Sequence, residues 1–263
     1  GAGNDTITSN GNSGTYYGGN DDDYMTAASG GETMYGGNGQ DIIDLSVGNF
    51  AYDLDMITGL ASGYPSELFL GFEEVITGNA VDTITGTFDA DTITTNGGND
   101  EIISNGGNDV LNGGGGNDLI NAGGGNDIII GGGGKDDLIG GGGNDTIEGG
   151  ADNDTIRGGV GADSMSGGTG LDILSYTSDT AGVNINLNAN TASGGNATGD
   201  TIASFESVRG GSGDNVLIGT ISDNAIISRG GNDSLYGLDG NDRLAGGGGD
   251  DLLRGDGGAD TLN

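Results

Sequence analysis

The sequence has no cysteine, histidine or tryptophan, a single proline, and six Lys and Arg residues against 40 Asp and Glu, for a formal charge of −34. Without cysteine there is no disulfide framework and no thiolate metal site. Without histidine there is no imidazole ligand and no Ser-His-Asp triad, so most hydrolytic and redox chemistry is excluded. One proline beside 63 glycines rules out a collagen repeat. No apolar run approaches the ~18 residues of a membrane-spanning helix, and the acidity repels nucleic-acid phosphates and anionic lipid surfaces. Neither nucleic acid nor membrane insertion is expected. Cations are the natural partners.

A hydrophobic content of 32% with so large a charge lies near the boundary of disorder, but the order of the residues argues otherwise. Aspartates stand at 82, 91, 100, 109, 118, 127, 136, 145, 154, 163 and 172, ten successive steps of nine. Two residues after each comes a large apolar side chain, from Ile84, Ile93 and Ile102 through Ile129 to Met165 and Leu174. The same unit continues on both flanks in other phases. Its sixth position falls on Asp5, Gly14, Asp23, Glu32 and Asp41 at one end, and on Asn215, Asn224, Asp233, Asp242, Asp251 and Asp260 at the other. Two interruptions, 45–72 and 176–205, reset the phase, and each is followed or closed by a similar motif, Phe72-Glu73-Glu74-Val75 and Phe205-Glu206-Ser207-Val208. Each contains strict alternation, Tyr52, Leu54 and Met56 in the first and Val183, Ile185 and Leu187 in the second, which predicts a half-buried strand. Each is therefore expected to be a strand-bearing joint that caps one stack and starts the next, offsetting its axis; the alternative is a surface loop.

Geometry explains the spacing. A glycine-rich six-residue segment can turn tightly because glycine accepts positive φ, and the three residues after it form a short strand whose central side chain points inward. Two such units close one flattened coil of eighteen residues. Counting 5 + 12 + 7 gives 24 units, with Asp or Glu at the sixth position of 21. Stacked coils bring these carboxylates into columns, Asp109, Asp127, Asp145 and Asp163 in one and Asp118, Asp136 and Asp154 in the other. Two carboxylates ~4.8 Å apart repel by about 1 kcal/mol in water and by roughly 3 to 4 at an effective dielectric of 20. One aliphatic side chain per nine residues cannot offset both that repulsion and the ordering of a glycine-rich backbone. A cation is required.

The fullest copies, Gly36 to Asp44 (GGNGQDIID), Gly113 to Asn121 (GGGGNDLIN), Gly140 to Glu148 (GGGGNDTIE) and Gly158 to Ser166 (GGVGADSMS), fit G-G-x-G-x-D-x-U-x. The chain thereby resembles the repeat-in-toxin (RTX, haemolysin-type) calcium-binding nonapeptide family over its whole length. The resemblance implies an all-β fold, a parallel β-roll (β-solenoid) with two nonapeptides per coil. It would comprise three stacked arrays (1–44, 73–175 and 206–263) joined by the strand-bearing insertions at 45–72 and 176–205. It also implies that several Ca²⁺ ions are shared between turns eighteen residues apart. Carried over residue by residue, the ligands are Asp5, Asp23, Asp41, Asp82, Asp91, Asp100, Asp109, Asp118, Asp127, Asp136, Asp145, Asp154, Asp163, Asp172, Asp233, Asp242, Asp251 and Asp260, with backbone carbonyls of the preceding glycine turns. Calcium suits such a set because it accepts six to eight hard oxygens in flexible geometry; magnesium demands a rigid octahedron and keeps its waters. The turns before Asp82 and Asp91, TGNAVD and GTFDAD, lack the expected glycines, and Gly14, Asn215 and Asn224 bring no charge. Occupancy at these five positions stays open.

The resemblance further implies type I secretion of a chain that stays unfolded in the cytosol and folds in extracellular calcium. The segment opens and closes inside a repeat, which leads us to expect a longer parent protein. The reading favoured is a non-enzymatic, calcium-stiffened structural protein at the cell surface, in a surface layer, biofilm matrix filament or adhesin. Its partners would be copies of itself, other surface proteins or polysaccharide. The alternative is the C-terminal secretion and folding module of an exported protease, lipase or epimerase. Outward apolar positions, Ile103, Leu119 and Ile139 on one face and Val110, Ile128 and Ile130 on the other, are candidate lateral contacts.

Overall fold

The structure, a computed structural model, describes the chain apart from residues 10, 12, 29–30, 49 and 63–66. Those at 49 and 63–66 belong to the first joint, whose strands are otherwise described. The chain forms two compact units, Gly1–Gly133 and Gly134–Asn263, so the division falls inside the long central array. Each unit contains one joint.

Both units are built by the same local rule. The three residues after each sixth position form a strand, such as Thr92–Thr94, Glu101–Ile103 or Thr155–Val160, and the middle one points inward. Ile84, Ile93, Ile102, Leu111, Ile120 and Ile129 are fully buried in the first unit, as are Leu138, Ile156, Leu174, Leu217 and Leu235 in the second. Strands eighteen residues apart pair in parallel and in register, Ile93 with Leu111 and Leu111 with Ile129, or Leu138 with Ile156 and Ile156 with Leu174. Successive strands therefore belong to opposite sheets, and two nonapeptides make one coil. Among the described residues the helical content is two 3₁₀ turns, Ser46–Gly48 and Gly195–Ala197. The fold is the all-β parallel solenoid expected.

The connection between sheets is made by the glycines. Gly114 and Gly116, the second and fourth residues of their unit, have φ of 92° and 131°, a region open to glycine at little steric cost. Where a turn keeps all its glycines the strand runs on into it, as in Val110–Gly115 paired with Ile128–Gly133, so even the turn adds to the ladder through Gly114 and Gly132.

At the joints the phase breaks but the sheets do not. In the first unit Ile42–Asp44 pairs directly with Glu74–Ile76 on one sheet. On the other, Thr33–Asn38 is followed by Glu67–Leu70, Leu60–Ser62 and Asp53–Asp55 before Thr83–Thr85 resumes the solenoid. The joint is thus an antiparallel hairpin inserted as extra strands within a sheet. The second unit repeats the device: Ile173–Ser175 pairs with Ser207–Arg209, while Thr201–Ala203, Thr191–Ser193 and Asn184–Asn186 stand between Ser164–Thr169 and Val216–Ile218. The alternating residues are the buried ones, Tyr52, Leu54 and Met56 here and Val183, Ile185 and Leu187 there. Each hairpin continues the core because its inward side chains keep strand alternation, whatever its length.

Candidate metal centre

The sixth-position aspartates lie at the point where a turn enters a strand, one above another along the stack. Their side chains are not solvated. Asp23, Asp41, Asp82, Asp91, Asp100, Asp109, Asp118, Asp127, Asp136, Asp145, Asp154, Asp163, Asp172, Asp233 and Asp242 are buried, while Asp5, Asp251 and Asp260 in the first and last coils are half-buried. One carboxylate oxygen of each rung reaches back one coil and accepts the N–H of the residue eighteen earlier. Asp82 N–H donates to Asp100 Oδ1 and Asp100 N–H to Asp118 Oδ1, both at 2.8 Å; Asp91 N–H donates to Asp109 at 2.9 Å and Asp109 N–H to Asp127 at 2.8 Å. In the second unit Asp136 N–H reaches Asp154 and Asp154 N–H reaches Asp172 at 2.9 and 2.8 Å, and Asp145 N–H reaches Asp163 at 3.0 Å. The outer coils join in, Asp5 to Asp23, Asp23 to Asp41, Asp233 to Asp251 and Asp242 to Asp260. Every candidate ligand takes part in this ladder.

The other oxygen is left inside. The Oδ2 atoms of Asp23, Asp41, Asp154, Asp163, Asp172, Asp233 and Asp242, and Oε2 of Glu32, are buried without a hydrogen-bond donor. Apart from that of Asp233, whose turn begins with Ser228, each such aspartate oxygen faces the glycine that opens its own turn, at a place that only a missing side chain leaves open. A Cβ on Gly149 would stand 2.5 Å from the carbonyl oxygen of Gly167, one coil on, and closer still to Asp154 Oδ2; Gly18 is placed in the same way between Asp23 and Gly36. A carboxylate oxygen and a carbonyl oxygen therefore converge on first-position glycines such as Gly18, Gly36, Gly149, Gly167 and Gly237. Burial raises the carboxyls, Asp154 to about 7 with the adjacent Asp136, Asp172 and Asp152 adding to the effect, and Asp82 and Asp91 to about 6. A buried carboxylate without a donor needs a proton or a cation.

The donor set consists wholly of carboxylate and carbonyl oxygens, which fits calcium. Among the described residues no three acidic side chains converge on one point, so the carbonyls of the glycine turns have to supply much of any coordination sphere.

The ladder crosses the joints through Glu73 and Glu206, the sixth positions that restart each array, and takes in two acids outside the nonapeptide phase, Asp200 and Glu67. Glu73 Oε2 accepts Asp41 N–H and Glu206 Oε2 accepts Asp172 N–H, both at 2.9 Å. Asp200 Oδ1 accepts Asp163 N–H at 2.9 Å while its Oδ2 accepts the Tyr176 hydroxyl at 2.7 Å, and Glu67 is placed beside the turn of Glu32. Their local signal is the tail of the repeat without its turn: Asp200-Thr-Ile202-Ala and Glu67-Leu-Phe69-Leu are D/E-x-U-x. A second ladder, unforeseen, runs the opposite way. The fifth-position side chains of Asn99, Asn108, Asn144 and Asn153 accept the N–H eighteen residues later at 2.7 to 2.8 Å, and Asp214 and Asp223 do the same at 2.7 Å. Each Asn-Asp pair thus ties its coil both forward and backward.

The family model of the RTX calcium-binding nonapeptide repeat (4 copies) matches residues 17–49, 76–111, 103–138, 112–147, 139–174, 205–235 and 227–262. These cover well over half of the chain and leave out the two hairpins. No curated protein matches it.

Proposed function

Because the chain belongs to the RTX calcium-binding nonapeptide repeat family, we propose that it is a secreted structural protein whose folding and assembly are driven by extracellular calcium, as part of a bacterial surface layer, biofilm matrix filament or adhesin. The observation that supports this is the column of buried carboxylates with unsatisfied oxygens in both units. In the calcium-poor cytosol such a column opposes folding, which keeps the chain extended for export; outside, the same column becomes the reason to fold. The aspartate Oδ1 atoms hold coil to coil, and the Oδ2 atoms with the turn carbonyls would hold the ions, which supply positive charge and nothing else. The 18 sixth-position aspartates named from the repeat are the ligands proposed. The exposed apolar side chains on strand faces, Val110, Leu119, Ile128 and Ile130, are the surfaces through which copies would meet.

Sedimentation velocity in chelator and then in millimolar calcium tests this. The expected result is an expanded monomer that becomes large assemblies. A compact monomer in calcium would reject assembly and favour the reading as a calcium-folded module of an exported enzyme. No change on adding calcium would reject both.

A further inference from the structure

The turns that follow each joint depart from the all-glycine pattern, as the turn of Ser9 does in the first array, where the buried Ser9 hydroxyl donates to Glu32 Oε1 at 2.8 Å. After Glu73 the first residues of the turns are Thr77, Gly86, Thr95 and Ser104; after Glu206 they are Gly210, Gly219 and Ser228. All the hydroxyl-bearing ones are buried. Their hydroxyls occupy the place that an all-glycine turn leaves open, and they satisfy one of the two oxygens that converge there. Ser104 Oγ donates to Asp109 Oδ2, Thr95 Oγ1 to the Gly113 carbonyl at 2.9 Å, and Ser228 Oγ to the Gly246 carbonyl at 2.7 Å.

The second turn after each joint carries a threonine at its second position, Thr87 fourteen residues beyond Glu73 and Thr220 fourteen beyond Glu206. Thr87 gives Asp91 both its N–H, at 2.7 Å, and its hydroxyl, at 3.1 Å. Thr220 N–H donates to Asn224 Oδ1 at 2.7 Å. Here the carboxylate itself has been replaced. Asn224 Nδ2 donates to the Glu206 carbonyl at 2.7 Å and to Thr220 Oγ1 at 2.9 Å, and Asn215 Nδ2 donates to the Gly213 carbonyl at 2.6 Å. Asn96 and Asn105 add side-chain donors to the carbonyls of Thr77 and Gly86, at 2.6 and 2.9 Å. Hydroxyl and amide N–H groups thus satisfy Asp91, Asp109 and several turn carbonyls, and Asn215 and Asn224 carry no charge, while Oδ2 of Asp82, Asp100 and Asp233 stays without a donor.

We propose that these side chains take the place of the cation at the turns of Asp91, Asp109, Asn215 and Asn224, so that Asp91 and Asp109 need no ion, the segment 210–227 closes without calcium, and the segment 77–112 closes with fewer ions than an all-glycine stretch. Each would form a starting coil, set against its joint hairpin, onto which the all-glycine coils are added as calcium binds. The physical basis is that a neutral donor satisfies a buried oxygen without deprotonation or ion uptake, and that two asparagines remove charge from the column at the point where stacking must begin. Each of these coils has a partner strand in its own joint, Asp53–Asp55 for Thr83–Thr85 and Asn184–Asn186 for Val216–Ile218, on which it can form. The inference rests on the reading that a cation closes the other turns.

Hydrogen exchange of the full chain, read peptide by peptide in chelator and in millimolar calcium, tests it. In chelator, peptides within 210–227 are expected to be protected, those within 77–112 to be partly protected, and those within 140–172 and 237–260 not; calcium should protect all four. Uniform exchange in chelator with full protection in calcium would overturn the starting-coil proposal and leave calcium folding intact. Protection of all four in chelator would overturn calcium folding itself. A second arm uses Thr220→Ala with Asn224→Asp, which restores a carboxylate and removes the built-in donors. Protection of 210–227 in chelator should fall roughly tenfold or more and return with calcium, the size expected when one or two buried hydrogen bonds are lost. Unchanged protection in chelator would overturn the assignment of these residues.

Discussion

The two units carry the same number of acids and very different numbers of bases. Residues 1–133 hold 20 Asp and Glu and no Lys or Arg, a charge of −20; residues 134–263 hold 20 acids and all six basic residues, a charge of −14. Yet the carboxylate ladder is the same in both, down to the 2.8 Å bonds of Asp82 to Asp100 and of Asp154 to Asp172. The bases of the second unit stay outside it. Arg157 forks onto Asp137 at 2.5 and 3.2 Å on a strand face, and Arg254 pairs with Asp256 in a turn. Neither arginine pairs with a carboxylate of the column. The demand for an ion is set by the buried column, whereas the surface charge is free to vary.

The largest effect is expected where this common interior is broken. Ile156→Asp places an unpaired carboxylate in a fully buried slot and should cost at least about 4 kcal/mol. Peptides from 146 to 175 should then exchange freely even in millimolar calcium, and persistent protection there would refute the inward position of this residue.

Next comes the column. Asp154→Ala with Asp172→Ala removes two adjacent rungs, and the calcium concentration at the folding midpoint, followed by circular dichroism, should rise severalfold. Asp91→Ala in the first unit, whose turn is closed by Thr87, should move it far less. Equal shifts would erase the distinction between the two kinds of turn.

Protons should compete with calcium. The carboxyls of Asp154, at about 7, and of Asp82 and Asp91, at about 6, lie above the ordinary value near 4 because the folded state buries them. Between about pH 4 and 7 the cation-free fold therefore binds more protons than the unfolded chain. The destabilisation these groups bring is absent below about pH 4, grows as the pH rises from there, and levels off above the folded values of about 6 to 7. Acidifying a sample in chelator should increase its β-structure, and adding calcium at pH 6.5 should release protons. Calorimetry in buffers of different ionisation enthalpy reads this directly, and binding without proton release would contradict it.

The smallest effect concerns the surface. The Arg157–Asp137 pair is partly exposed, so Arg157→Gln should cost about 0.2 to 1 kcal/mol. Raising salt in chelator should aid the first unit more than the second, since only the first lacks any internal counter-charge. Exchange that slows equally in 1–133 and 134–263 would count against that contrast.

The ladder was legible where the nonapeptide is intact, because the turn and the strand are encoded within nine residues and identical units can stack in only one register. It was not legible at Glu67 or Asp200. Both sit in carboxylate positions of the stack, but the hairpins before or after them bring them there from outside the nine-residue phase. The turns before Asp82 and Asp91 read as degenerate copies because glycine was the expected residue; only the direction of the Thr87 hydroxyl and N–H shows that the turn of Asp91 is closed from within, whereas Asp82 Oδ2 has no donor. The joints read as strand-bearing, and they are, but periodicity could not show that both sheets run through them. The outward tyrosines of the first array meet in register, Tyr17 stacked on Tyr35 at 4.9 Å and 6°.

The sequence by itself determined the coil: its eighteen-residue length, its inward Ile and Leu column, and the acids that line it. All follow from short-range rules, glycine's positive φ and strand alternation, repeated without a break. Tertiary structure alone decided how the carboxylates are used, with one oxygen spent backward on the neighbouring coil and the other enclosed without a donor, and Asn reaching forward from the position before. It also decided where hairpins enter a sheet and where the chain divides at Gly133. These depend on which residues stacking brings face to face, and a buried oxygen's lack of a partner is a property of everything packed around it.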